Sequence, residues 1–175
     1  GSETVIADYK VAYVVPANLS ILTSAIGVFV APYFTKYEKD VSWVCKNFKR
    51  LLMLTISIMG ISCVICFLLA EPLILLLYGN EYLSAVPIMR LLLVASFMNN
   101  GIRASIANVL SAMGIQKINL SIAALGIIIQ ISLDLLLVPM LHGIGIAMSS
   151  VFTYGVMSLL LFMFFKRKYG RTIKA

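Results

Sequence analysis

At 175 residues, 61% hydrophobic and 12% charged, with a mean hydropathy of +1.01, the chain lies well outside the makeup of water-soluble domains and reads as a polytopic membrane protein. Its formal charge of +7 does not point to nucleic acid, because the basic residues fall in connections and in the tail between apolar runs, where orientation in a bilayer accounts for them. Cys63 and Cys66 form a CxxC inside the run ISCVICFLLA, with no second pair and with the sole histidine, His142, far away, so neither a metal nor a cofactor is expected.

No initiator methionine, basic leader or cleavage site opens the chain, and Gly1 is read as an internal start. A first span is expected over about 9–34, kinked near Pro16. Within it Tyr13, Ala17, Ser20, Ser24, Gly27 and Ala31 recur at spacings of four and three, a face suited either to close packing or to lining a cavity. From Lys36 to Arg50, Val41, Val44, Cys45 and Phe48 share one side of an interfacial amphipathic helix, and five cations assign this connection to the cytoplasm. The second span, about 51–70, is apolar almost all round, with Thr55, Ser62 and Cys66 as a weak stripe. The segment EPLILLLYGNEY is too short to cross; Pro72 can open a short helix there and Gly79 can close it, in the outer interface.

The third span, about 87–113, carries the feature that most needs an explanation. At about 100° per residue, Ser96, Asn99, Asn100 and Arg103 fall within one arc of the helix. A charge at bilayer depth costs several kcal/mol, on the order of 3 or more, so this stripe must face protein or a wet cavity. Arg90 belongs about 20 Å nearer the outer headgroups and about 140° around the helix, where it can snorkel, so the two arginines do not form one joint site. A tight connection at Gly114 to Lys117 leads to the fourth span, about 118–138, where Asn119, Ala123, Gly126, Gln130 and Asp134 form a second small-and-polar stripe. Three roles are open to Asp134: pairing with Arg90, binding a proton or cation, or facing water. A short outer turn containing His142 follows Pro139, and the fifth span, about 144–165, places Gly145, Ser149 and Thr153 on one face with Tyr154 at its edge.

The fold class is therefore all-α, a membrane bundle of about five spans. Lys36, Lys39, Lys46, Lys49, Arg50, Lys117, Lys166, Arg167, Lys168, Arg171 and Lys174 all fall on one side of it, leaving Lys10, Arg90 and Arg103 of the 14 cations elsewhere. The positive-inside rule then sets the N-terminus outside and the C-terminus in the cytoplasm. An enzyme is not expected, since no nucleophile stands with a base and no intramembrane carboxylates pair.

The order of landmarks, GSETVIADYKVAY, VAPYF, PLILLLYGNEYLSAVPIMRLLL, NVLSAMGIQKIN and VPMLHGIGIAMSS, resembles the C-terminal half of polysaccharide-type (Wzx-type, O-antigen) lipid-linked oligosaccharide flippases, within the multidrug/oligosaccharidyl-lipid/polysaccharide exporter superfamily. The resemblance implies a bacterial cytoplasmic-membrane transporter with two six-helix lobes about a central cavity, alternating between membrane faces. Its substrate is an undecaprenyl-diphosphate-linked sugar. By the same resemblance the five spans correspond to helices eight to twelve, with the N-terminal lobe as the missing partner and membrane lipids as surroundings. A diphosphate needs cationic and hydrogen-bonding groups, which Arg103, Asn99 and Asn100 offer. The expected substrate-pathway set is Arg103, Asn99, Asn100, Ser96, Gln130, Asp134 and Arg90. An Arg103 bonded between helices is the competing role for that residue. A cation-coupled drug exporter leaning on Asp134, and a non-transporting membrane assembly protein, are the other readings of the chain.

Overall fold

A computed structural model of the chain describes residues 2–169; Arg171 and Lys174 of the basic tail lie outside the described residues. The regular structure among those residues is helical throughout. α1 (Ser2–Asn18) and α2 (Ser20–Lys36) together make one apolar length sufficient to cross a bilayer, and they join at Leu19, just beyond Pro16. Pro16 has no N–H to donate to Ala12, and its own carbonyl accepts from Ser96, so the ladder is weakened near the predicted kink while Leu19 keeps a helical backbone. Side chains take over at this joint: Asn18 Nδ2 donates to the Val14 carbonyl at 2.8 Å and Ser20 Oγ to that of Ala17 at 2.7 Å.

The next element corrects the sequence reading. No separate interfacial helix precedes the second span; α3 runs unbroken over Val41–Leu68, opened by Asp40, whose side chain accepts from the Trp43 N–H at 2.9 Å. The amphipathic pattern that predicts an interfacial helix is the start of this helix's buried stripe, which continues from Val44 and Phe48 through Leu51, Thr55, Met59 and Cys63. Nothing between Arg50 and Leu51 breaks a helix, and a ring of lysines is tolerated because it stands at the bundle's end.

α4 (Ala70–Tyr78) is the short helix the sequence implies, with Pro72 in its first turn and Gly79 ending it at φ 86°. A 3₁₀ stretch (Asn80–Ala85) leads into α5 (Val86–Ser96). The third span then departs from a regular helix: Phe97–Arg103 is a π-helical turn, and α6 (Ala104–Ala112) follows directly. Gly114, at φ 73°, closes α6; the Ile115 N–H reaches back to Leu110 O at 2.9 Å and the Gly114 N–H to Ser111 O at 3.0 Å. This is the left-handed cap that glycine adopts without a steric penalty.

α7 (Gln116–Tyr169) comprises the fourth and fifth spans, and its arms, 116–141 and 143–169, are separated by His142 alone (φ 53°, ψ −128°). The helix continues through Pro139, and the reversal falls at His142, within the turn the sequence predicts but confined to that one residue. Four helical lengths are long and apolar enough to cross a membrane, and the last of them contains two arms.

Packing divides the bundle into two apolar cores. At the basic end Phe34, Val44, Phe48, Ile106, Leu110, Leu161 and Phe165 are buried together, with the Phe48 and Phe165 rings stacked at 3.7 Å between centroids. At the other end Ala12, Ala70, Ile74, Ala85, Met89, Leu92 and Ala147 form the second core. The π turn lies between them in the chain and in space. Large apolar side chains elsewhere face outward, including Ile61 at 63% and Ile128 at 64% exposed. A multi-pass membrane protein, whose outer faces meet lipid, accounts for that inversion of the soluble pattern.

Candidate functional site

The polar residues of the third span are held by a side-chain chain that begins at the kink in the first. Ser96 Oγ donates to the Pro16 carbonyl at 3.0 Å, and Asn100 Nδ2 donates to Ser96 Oγ at 3.0 Å. Asn99 Nδ2 lies 3.5 Å from Asn100 Oδ1, and Arg103 Nε donates to Asn99 Oδ1 at 2.6 Å. The predicted stripe of Ser96, Asn99, Asn100 and Arg103 is thus one connected unit. The Arg103 guanidinium carbon also stands 6.0 Å from the centre of the Tyr154 ring, at the outer edge of cation–π range.

Beneath this unit the widened turn creates a second requirement. In a π turn carbonyls depart from the regular i−4 ladder, and the Ala104 N–H reaches back five residues to Asn99 O. Hydroxyls from the surrounding helices supply further donors. Thr23 Oγ1 of α2 donates to Asn100 O and Thr55 Oγ1 of α3 to Gly101 O, each at 3.1 Å. Ser158 Oγ of α7 donates to Met98 O at 3.0 Å. Three helices therefore clamp the irregular turn at the depth where the arginine sits.

A cleft of about 280 Å³ opens beside it, lined in part by Tyr9, Tyr13 and Ser20 from α1 and α2, Ser96, Asn99 and Asn100 from the third span, and Ser150 and Tyr154 from the second arm of α7. Tyr9 and Tyr13 stack with centroids 6.2 Å apart. Along the same face of α2, a second open cleft of about 390 Å³ is lined by Ser24, Gly27, Ala31, Asn108 and Ser111. The small-residue face for which the sequence left packing and cavity open does both: it contributes to each cleft, and Gly27 packs closely on Asn108, so that the face forms one side of a partly polar trough.

Of the expected residues, Ser96, Asn99 and Asn100 line this cleft, Arg103 meets it only through its bond to Asn99, and Gln130, Asp134 and Arg90 lie apart from it. Gln130 Nε2 donates to both Asp134 carboxylate oxygens, at 3.1 and 3.0 Å, and to Ser149 Oγ at 2.8 Å; the Ser149 hydroxyl donates to Asp134 Oδ1. Folding α7 back at His142 brings Asp134 to Ser149, and the pairing with Arg90 that the sequence left open is not formed among the described residues. Arg90 points to α3, its guanidinium carbon 5.3 Å from the Phe67 ring centre. Asn119, at the start of the fourth-span stripe, donates to Ala107 O and Ser111 Oγ, both at 2.8 Å, so that end of the stripe serves packing.

No family model, curated protein or solved structure matches the chain. The candidate site therefore stands on its own chemistry: two amides, several hydroxyls and three tyrosines about a cleft, with the Arg103 guanidinium held next to it by Asn99, a set suited to binding polar or anionic groups. Tyr9, Ser150, and Tyr154 as the ring beside Arg103, are what sequence reasoning missed; the i, i+4 spacing of Tyr9 with Tyr13 and of Ser150 with Tyr154 was the available signal.

Proposed function

We propose that this chain is part of the C-terminal lobe of a bacterial cytoplasmic-membrane flippase that moves lipid-diphosphate-linked oligosaccharide by alternating access. The observation that carries the reading is Asn99, which lines the cleft and at the same time fixes the Arg103 guanidinium. A cation held at the margin of a polar cleft, inside a bundle whose outer faces are apolar, suits a substrate that is an anion on an isoprenoid tail. The other face of the trough belongs to the N-terminal lobe in this reading, and rocking of the two lobes opens the site to each side in turn. Lys36 to Arg50, Lys117 and Lys166 to Lys168 flank the same apolar core, which supports a cytoplasmic C-terminus and an external N-terminus.

In the protein carrying this chain, Arg103→Lys keeps the charge but loses the planar fork, and is expected to lower delivery of oligosaccharide to the outer face about tenfold at unchanged membrane abundance. Equal loss of delivery and abundance points instead to an arginine that only ties helices together. One observation favours cation coupling, as in a drug exporter: Asp134 has no cationic partner among the described residues and shares its oxygens with neutral donors. Asp134→Asn separates the readings, because transport insensitive to an imposed ion or proton gradient in both wild type and variant removes the coupled one.

A further inference from the structure

Arg90 is an expected site residue that belongs neither to the polar cleft nor to the cluster of Gln130, Asp134 and Ser149. Its Nε is buried and has no hydrogen-bond partner, and its guanidinium rests over Phe67. Glu71 and Glu81, the acids of the neighbouring short segments, form no ion pair with it among the described residues. A guanidinium carries five N–H donors in a rigid fork that fits a phosphate two at a time. Leaving such a group without an acceptor at a membrane boundary costs more than leaving a hydroxyl unpaired.

Directly adjoining Phe67 is a groove of about 220 Å³ between α3 and α5, lined by Gly60, Cys63, Val64, Phe67, Leu93, Val94 and Phe97, with no polar surface in it. Phe67 is the next-to-last residue of α3 and Arg90 lies one turn from the start of α5, so the cation stands at the mouth. From there the groove descends about 10 Å along α5, to Phe97. Charge above and hydrocarbon below is the polarity of a phospholipid.

We propose that this groove binds one anionic glycerophospholipid of the surrounding bilayer, its phosphate on Arg90 and an acyl chain laid against Gly60, Val64, Phe67, Val94 and Phe97. The inference needs only the membrane setting and is independent of the transport reading. The gap at Gly60 gives the chain room, since a side chain there meets only the Phe97 ring, at 3.6 Å. Bound lipid would accept from the terminal nitrogens of the Arg90 fork, while Nε stays covered by the protein.

The test uses the chain in nanodiscs of phosphatidylcholine and phosphatidylglycerol, with photoactivatable acyl-chain analogues of each and adducts mapped by peptide mass spectrometry. Phosphatidylglycerol adducts on 60–67 and 93–97 are expected to exceed phosphatidylcholine adducts about fivefold at equal concentration, the preference that one surface cation confers. Arg90→Gln is expected to bring that ratio to about one, and Gly60→Leu to lower adducts of both lipids in the groove. An even ratio in wild type overturns the proposal, as does a preference that survives Arg90→Gln. Displacement of the phosphatidylglycerol probe by an equal concentration of polyprenyl phosphate also overturns it, by assigning the groove to a different lipid. The wild-type ratio decides the matter even where a variant fails to insert.

Discussion

His142 and Gly145 together set how the last two spans meet. His142 adopts φ 53°, ψ −128°, which a side-chain-bearing residue enters only with strain and glycine enters freely. His142→Gly is therefore expected to raise stability by about 1 kcal/mol, the relief of strain exceeding the added flexibility of the unfolded chain. Unfolding in mixed micelles reads this out, and a loss of stability shows that the imidazole makes a compensating contact. Gly145 is the opposite case: a methyl there would stand 2.6 Å from the Leu137 carbonyl oxygen, a backbone atom that cannot rotate away. Gly145→Ala is expected to cost about 1–3 kcal/mol in the same assay. The sequence places Gly145 on a small-residue face but gives no sign that the obstacle is backbone of the preceding span. Similarly, angular arithmetic is enough to unite Ser96, Asn99, Asn100 and Arg103, whereas the Tyr154 ring comes to Arg103 from another span and is invisible to it.

At the level of elements, the π turn at Phe97–Arg103 is what a straight-helix reading cannot contain. Its only sequence trace is Asn99-Asn100-Gly101, three poor helix formers in succession where a membrane span is otherwise rich in leucine and valine. Tertiary hydroxyls stabilise it, so removing one is expected to be felt at the turn. Thr55 Oγ1 also lies 3.1 Å from Leu51 O and from Leu52 O within its own helix, so Thr55→Val takes away a shared donor while keeping the shape. A cost of about 1 kcal/mol is expected, together with faster hydrogen exchange at Ala104, whose N–H closes the π turn. Unchanged exchange there, with stability lost, shows that the hydroxyl serves only α3. The single α3 helix carries a related lesson. An amphipathic start and an all-apolar continuation read as two elements because periodicity reports burial on one side, while lipid on the other side hides the continuity of the stripe from Val44 to Cys63.

For the molecule as a whole, exposure has two opposite meanings, and one experiment separates them. Ser24 and Asn99 line open clefts that include polar side chains, whereas Ile61 and Ile128 are exposed at 63% and 64% on apolar outer faces. In a bilayer the clefts are expected to hold water and the outer faces hydrocarbon, which supplies no polar medium for a thiolate to react in. With Cys45, Cys63 and Cys66 replaced by alanine, single cysteines at the four positions are expected to divide. Ser24→Cys and Asn99→Cys react with a membrane-impermeant thiol reagent in intact membranes, at rates about tenfold or more above Ile61→Cys and Ile128→Cys, since the thiolate is the reacting form. After solubilisation in denaturant all four should react alike, which checks that the difference belongs to the fold. Protection of all four in the membrane means that the trough is dry, as when another helix packs into it, and moves the polar stripes from passage to assembly. Reaction at all four means that the apolar faces meet water and removes the membrane reading itself. Because the two cores sit at the two ends and the clamped π turn between them, a wet Asn99 places solvent beside Arg103 at the level where the bundle is least able to tolerate an unpaired charge.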